Sequence, residues 1–148
     1  MKIVSFSPEY SSAARLFVLD VLSGEGFGYD PLKDSDLVDI PGNYPEKRGA
    51  FFLCLMNGDI VGTSAVKYLD SDTCEIKRFY VRKDCRGKGI GFSMFQKALE
   101  YAEENFTRAK LKTDSTLKTA ISIYLKNGFS IVNEGGGTVY FEKYLQSK

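Results

Sequence analysis

The chain has 148 residues, 43% of them hydrophobic and 26% charged, a balance that suits one folded domain and excludes a disordered tail, a collagen-like repeat or a coiled coil. Twenty basic and nineteen acidic side chains leave a net charge of +1, which gives no general pull toward nucleic acid. There is no histidine, which removes Ser–His and Cys–His nucleophiles and the commonest zinc ligand, and the three cysteines have no CxxC spacing, which argues against a disulfide framework or a metal site. The longest apolar run, Ala50–Met56, is too short to span a bilayer, and the N-terminus has no stretch of signal-peptide length. The expectation is one domain over residues 1–148, cytoplasmic, with no membrane partner and no nucleic-acid partner.

In chain order, residues 2–6 predict a short strand. Ser7-Pro8-Glu9 is a helix-start signal, and Ala13, Leu16, Phe17, Leu19 and Leu22 follow on one helical face. Residues 23–49 carry Gly24, Gly26, Gly28, Pro31, Pro41, Gly42 and Pro45 and predict a long loop with one helical turn near residues 34–38. A loop of that length in a compact domain is usually functional. A strand at 50–56, the turn Asn57-Gly58 and a strand at 60–68 predict a hairpin, which a third strand at 74–82 extends. A polar loop at 83–88 leads to a helix over about 89–104, with Phe92, Phe95, Ala98, Leu99 and Ala102 on one face. A strand at 109–113 follows, then Asp114-Ser115-Thr116 as a cap for a helix over 117–127, and strands at 129–133 and 138–144. The helix joining strand 74–82 to strand 109–113 makes a βαβ unit. Those two strands are therefore expected parallel in an otherwise antiparallel sheet.

The stretch between that strand and its helix carries the chemistry. It holds Arg86, Gly87, Lys88, Gly89, Ile90 and Gly91, and a structural turn needs one glycine rather than three in alternation. Glycines at a helix start leave backbone N–H groups bare at the positive end of the helix dipole, and Arg82, Lys83, Arg86 and Lys88 add charge of the right sign for an anion, most naturally a diphosphate. The Rossmann pattern fails because Met94 stands where its third glycine belongs, and the P-loop pattern fails because Gly89 follows Lys88. A solvated basic turn with flexible glycines is the alternative reading of these residues alone.

Arg86-x-x-Gly89-x-Gly91, following Glu75-Ile76-Lys77-Arg78-Phe79-Tyr80-Val81, resembles the [Q/R]-x-x-G-x-[G/A] motif of the GNAT superfamily of acyl-CoA-dependent N-acetyltransferases. A second signature of the same family, Tyr-x-x-x-Gly-Phe at a helix end, is matched by Tyr124 to Phe129. The resemblance implies an α+β, three-layer fold: a mixed, mostly antiparallel central sheet with helices on both faces. It implies acetyl-CoA as cosubstrate and no metal. The diphosphate would lie over the amides of Arg86, Gly87, Lys88, Gly89, Ile90 and Gly91, and the pantetheine arm along Phe79, Tyr80 and Val81, where the two parallel strands splay. The implied acceptor is a primary amine of a small molecule or peptide. Dimers through the last strands also occur in the family. Leu117 stands where many members have an asparagine that contacts the cofactor, so Thr116 or Thr119 would take that contact.

Acetyl transfer to an amine needs a group that takes the ammonium proton, stabilisation of the carbonyl oxygen, and a donor for the leaving thiolate. Tyr124 is the candidate donor, in the role that the family gives this tyrosine; its alternative is a core aromatic beside Ala120 and Ile121. Glu75 is the candidate base, on a strand where a carboxylate is costly unless it works or is paired; its alternative is a salt bridge with Lys77. Phe27, Tyr29 and Tyr44 are expected to line the acceptor pocket, with Asp30, Asp34, Asp36 and Asp39 attracting a cationic amine; the alternative is an ordinary solvated loop. The remaining alternative for function is a non-catalytic acyl-CoA sensor.

Overall fold

Seven strands form one sheet, in the order β1-β2-β3-β4-β5-β7-β6, in a computed structural model that describes residues 1–145. Strand β1 (Lys2–Ser5) and helix α1 (Ser11–Gly24) open the chain, and two 3-10 turns flank the short helix α2 (Ile40–Asn43). Strands β2 (Ala50–Met56), β3 (Asp59–Tyr68) and β4 (Thr73–Val81) form the meander. Helix α3 (Ile90–Asn105), strand β5 (Arg108–Asp114), helix α4 (Lys118–Lys126), and strands β6 (Ser130–Gly135) and β7 (Thr138–Tyr144) complete the order. Neighbours are antiparallel except β4 and β5, which are parallel, as the βαβ unit requires. The fold is the mixed three-layer arrangement expected. Helices α3 and α4 cover one face of the sheet, and α1 and α2 cover the β1–β4 half of the other.

The cores follow from the strand alternation. On the α3 side, Val66, Cys74, Ile76, Phe95, Leu99, Leu111 and Phe141 pack together, and on the α1 side, Ala14, Ile40, Phe51, Leu53 and Ala65. Phe95 is fully buried, so truncating it to alanine costs on the order of 3–5 kcal/mol. All three cysteines are buried and unpaired. No helix of the described residues is long and apolar enough to cross a membrane.

Three local expectations are corrected. The inward stripe of α1 is Ala14, Phe17 and Val18, one i, i+3, i+4 row, which leaves Leu16 58% exposed. On α3 the row Met94, Phe95, Ala98, Leu99 and Ala102 is buried, and Phe92, one step off it, is 55% exposed at the mouth of the glycine loop. Asp114 does not cap α4: the residue before the helix is Leu117, and the Asp114 carboxylate accepts from the Thr116 amide at 2.9 Å and hydroxyl at 2.6 Å, which closes the preceding turn.

The feature that positions the site is the partial pairing of β4 with β5. Thr73 pairs with Arg108, Cys74 with Ala109 and Glu75 with Lys110; beyond Glu75 the two strands part. From there β4 keeps only β3, while β5 continues against β7 as far as Asp114 and Thr138. A bulge marks the parting: Arg78 and Phe79 together oppose Ser64, between the pairs Ala65–Lys77 and Thr63–Tyr80. Arg78 takes φ 52°, the left-handed region, and its displaced carbonyl accepts a 2.7 Å hydrogen bond from the Thr63 hydroxyl.

Candidate active site

The glycine loop holds what its sequence allows. Gly87 and Gly89 take φ 80° and 82°, and a side chain at either would meet open space. Gly89 sits at the N-cap of α3 in the left-handed conformation, with no side chain capping the helix. Ser93 bonds back to the Gly89 carbonyl at 3.1 Å, so the amides of Ile90, Gly91 and Phe92 precede the first helical bond. Among the described residues, no protein acceptor reaches those three amides or the amides of Gly87, Lys88 and Gly89. Six unpaired donors at a helix N-terminus, flanked by the exposed Lys83 and Lys88, suit a diphosphate. Gly91 lies behind them, where a Cβ would rest 3.5 Å from Val81 and 3.6 Å from Phe79.

Arg86 is used differently from its neighbours. Its Nε donates to the Val81 carbonyl at 3.0 Å, and its Nη2 pairs with Glu25 at 2.9 Å. The arginine thus fastens the end of β4 and the end of α1 to the loop. Arg82 is likewise paired, with Asp84 at 2.7 Å.

Tyr124 fills the underside of the gap. Its ring lies 6.0 Å from Phe79 on β4, 5.2 Å from Phe95 on α3 and 5.3 Å from Phe141 on β7, so it touches elements on both sides of the parting. The end of α4 holds it there. The Phe129 amide donates to the Tyr124 carbonyl and the Gly128 amide to the Leu125 carbonyl, both at 3.1 Å, with Gly128 at φ 86°; Phe129 then packs on Phe95 at 5.8 Å. This is the Schellman closure, and it explains the Tyr-x-x-x-Gly-Phe spacing in physical terms. Burial, with a smaller push from Tyr80, raises the Tyr124 hydroxyl above its ordinary value of 10, so it stays protonated at neutral pH and can donate a hydrogen bond. Thr116 donates to Asp114, which engages one of the two hydroxyls near the start of α4.

Glu75 stands at the vertex, at the last β4–β5 pair. It is half-buried on the face opposite Tyr124, in register with Lys67 on β3 and Lys110 on β5. It forms no salt bridge with Lys77 or any other described residue. An open depression of about 300 Å³ lies beside it, lined by Leu69, Lys110, Lys112, Tyr140 and Phe141 among others.

Residues 25–49 cross β4 on that same face, but their aspartates are already engaged. Asp34 and Asp36 are buried and paired with the Arg78 guanidinium at 3.0 and 2.6 Å, the Lys33 carbonyl accepts from the same arginine at 3.0 Å, and the Tyr44 hydroxyl donates to Asp36. Burial alone would raise the Asp36 carboxyl; the hydrogen bonds from Arg78 and Tyr44 outweigh it and hold the group below its ordinary 3.8. Asp39 accepts from the Gly42 amide at 3.1 Å, and Asp30 accepts from the Leu32 and Lys33 amides at 2.9 and 3.3 Å. Phe27 and Tyr29 are exposed, just past the Glu25–Arg86 contact. The Arg78 network escaped the sequence reading. Its signal was there: Lys77 and Arg78 put two polar residues in succession where the Glu75-Ile76-Lys77 alternation calls for an apolar one, which marks a bulge.

Known proteins resemble this chain in sequence and in fold. A profile of the "Acetyltransferase (GNAT) family" matches residues 17–129. The "Uncharacterized N-acetyltransferase YjgM" of Escherichia coli K12 is 31% identical over 104 residues, which cover 68% of this chain and 62% of that one. The "N-acetylaspartate synthetase" of Danio rerio is 30% identical over 103 residues, 68% of this chain and 36% of that one, so the alignments span well under the full length of these relatives. A solved GNAT-family acetyltransferase from Staphylococcus aureus Mu50 superposes with a TM-score of 0.87 at 25% identity, over 98% of this chain and 99% of that one. The chain belongs to the GNAT acetyltransferase family.

Proposed function

We propose that the protein is an N-acetyltransferase that moves an acetyl group from acetyl-CoA to a primary amine by direct attack while both are bound. The observation that carries this reading is the run of six unpaired amides from Gly87 to Phe92, at the open end of a strand whose partner has parted from it. The diphosphate would sit on those amides, with Lys83 and Lys88 beside it, and the pantetheine arm would lie in the parting next to Phe79 and Tyr80. Bound acetyl-CoA supplies the activated thioester carbonyl.

The chain's own groups supply the rest. Glu75 takes the proton from the acceptor ammonium, which exposes the nitrogen lone pair. The exposed backbone of β4 beyond Glu75 polarises the carbonyl. The Tyr124 hydroxyl donates a hydrogen bond to the departing sulfur, from the side of the sheet opposite Glu75, and the second proton, shed by the attacking nitrogen as the amide forms, passes to the thiolate and leaves it as the free CoA thiol. Residues 25–49, pinned by Arg78, wall the acceptor side and present Phe27 and Tyr29.

Calorimetry with acetyl-CoA and release of free CoA thiol over an amine panel test this. The expected outcome is acetyl-CoA binding in the micromolar range, lost when Gly89→Asp puts a negative charge among the amides. Undisturbed binding in that variant overturns the placement of the diphosphate. Binding without thiol release from any amine favours an acyl-CoA sensor.

A further inference from the structure

The charges on the open face of the sheet are arranged in two rows. The first crosses at the vertex and alternates in sign: Lys67, Glu75, Lys110 and Glu142, on β3, β4, β5 and β7. The second lies one pleat further along, where the strands have parted. Lys77 stands on the β4 lip and Lys112 on the β5 lip, with the neutral Tyr140 and Asn133 behind Lys112. The second row contains no carboxylate.

Glu75 apart, the acids around those lysines are engaged elsewhere. Asp34 and Asp36 are held by Arg78, Asp114 closes the turn with Thr116, and Glu142 pairs with Arg108 at 3.6 Å. Among the described residues, none of Lys67, Lys77, Lys110 or Lys112 forms a salt bridge. Lys77 is half-buried, so its charge has lost solvation and is offset only through space, by the Glu75 and Asp36 carboxylates, and Lys110 and Lys112 line the depression beside Glu75 together with Glu142. Such a site disfavours an acceptor with a second positive charge and favours one whose amine is accompanied by an anion.

We infer that the acceptor is an amino-acid-like amine, whose carboxylate is held between Lys112 and Lys77 on the two lips of the gap while its amino group lies against Glu75. This rests on the acetyl-transfer reading above and names the substrate class for that same site. Lys77 and Lys112 act on binding and orientation, not on the chemistry of the reacting atoms.

The test is CoA-thiol release with the twenty common amino acids, their α-amides and spermidine, alongside the thermal shift given by acetyl-CoA alone. At least one free amino acid is expected to exceed its own amide in kcat/KM by about ten-fold or more, because a site that pairs a charge rejects the analogue that lacks it. Lys112→Gln, at an exposed position, is expected to bring that ratio close to parity through KM while leaving the acetyl-CoA thermal shift in place; Lys112→Arg is expected to keep the preference. If amides or spermidine react as well as the acids, or if the preference survives in both Lys112→Gln and Lys77→Gln, the inference falls and acetyl transfer stands. If acetyl-CoA gives a shift but no compound on the panel releases thiol, the inference also falls. If acetyl-CoA gives no shift, the transfer reading itself fails and takes the inference with it.

Discussion

The two ends of β4 are held in different ways. At Thr73–Glu75 the strand has a backbone ladder on both sides, to β3 and to β5. From Ile76 to Val81 it has β3 alone, and side chains replace the missing neighbour. Arg78 anchors one face to Asp34, Asp36 and the Lys33 carbonyl, Phe79 anchors the other to Phe95 and Tyr124, and Arg86 caps the Val81 carbonyl. A sheet can therefore open a gap for a ligand without loosening, provided the strand at the gap is tied down by other elements.

Removing the strongest of those ties should have the largest effect. Arg78→Ala leaves two buried carboxylates without their cation and is expected to cost about 3–5 kcal/mol of stability, read from the midpoint of urea unfolding. A loss under ~1 kcal/mol shows that the open end does not depend on this tie. At the closed end, Glu75→Gln keeps the shape and removes the base. Its kcat is expected to fall by about 10²-fold with little change in acetyl-CoA affinity, and a kcat within a factor of about two of wild type assigns proton removal to water. Asp36→Asn sharpens the comparison through pH. Because the Asp36 carboxyl is held below 3.8 in the folded chain, its stabilisation is present above about pH 4 and lost as the pH falls through the folded value. The variant should therefore be less stable than wild type at pH 7, by roughly 1.5–3 kcal/mol, with the difference shrinking below pH 4. The smallest expected effect is that of Tyr124→Phe, which removes one hydrogen bond to the departing sulfur. We expect kcat to drop by about ten-fold, worth ~1.4 kcal/mol, with acetyl-CoA binding close to wild type.

Much of this was legible in the chain itself. The hairpin at Asn57-Gly58, the parallel strand pair and the glycine loop follow from local patterns whose physics is short-range: a two-residue turn, a crossover helix, and left-handed glycines before a helix. The turn at Asp114 was misread because an aspartate before a helix can either cap it or bond its own second neighbour, and the sequence does not distinguish the two. The buried network joins Arg78 to Asp34, Asp36 and Tyr44, 34 to 44 positions away, and no periodicity reports such a contact. The acidic run in 25–49 consequently looked like a lure for cations, whereas its two most buried members are already matched inside the protein. The lysines of the open face were invisible for a related reason. They lie on four separate strand positions that only the sheet register brings side by side.

Arg78 does two jobs with one residue: its backbone turns the strand through a left-handed bulge, and its side chain neutralises the crossing segment. A glycine there would ease the turn and strand the two acids; a lysine would keep a charge and give up the forked grip. Drift at this position is consequently constrained from two directions, and relatives that lack the arginine should also lack the pair of aspartates. The acceptor-facing segment can diversify its tip, around Phe27 and Tyr29, only because its base is moored to a part of the sheet that has so little freedom to change.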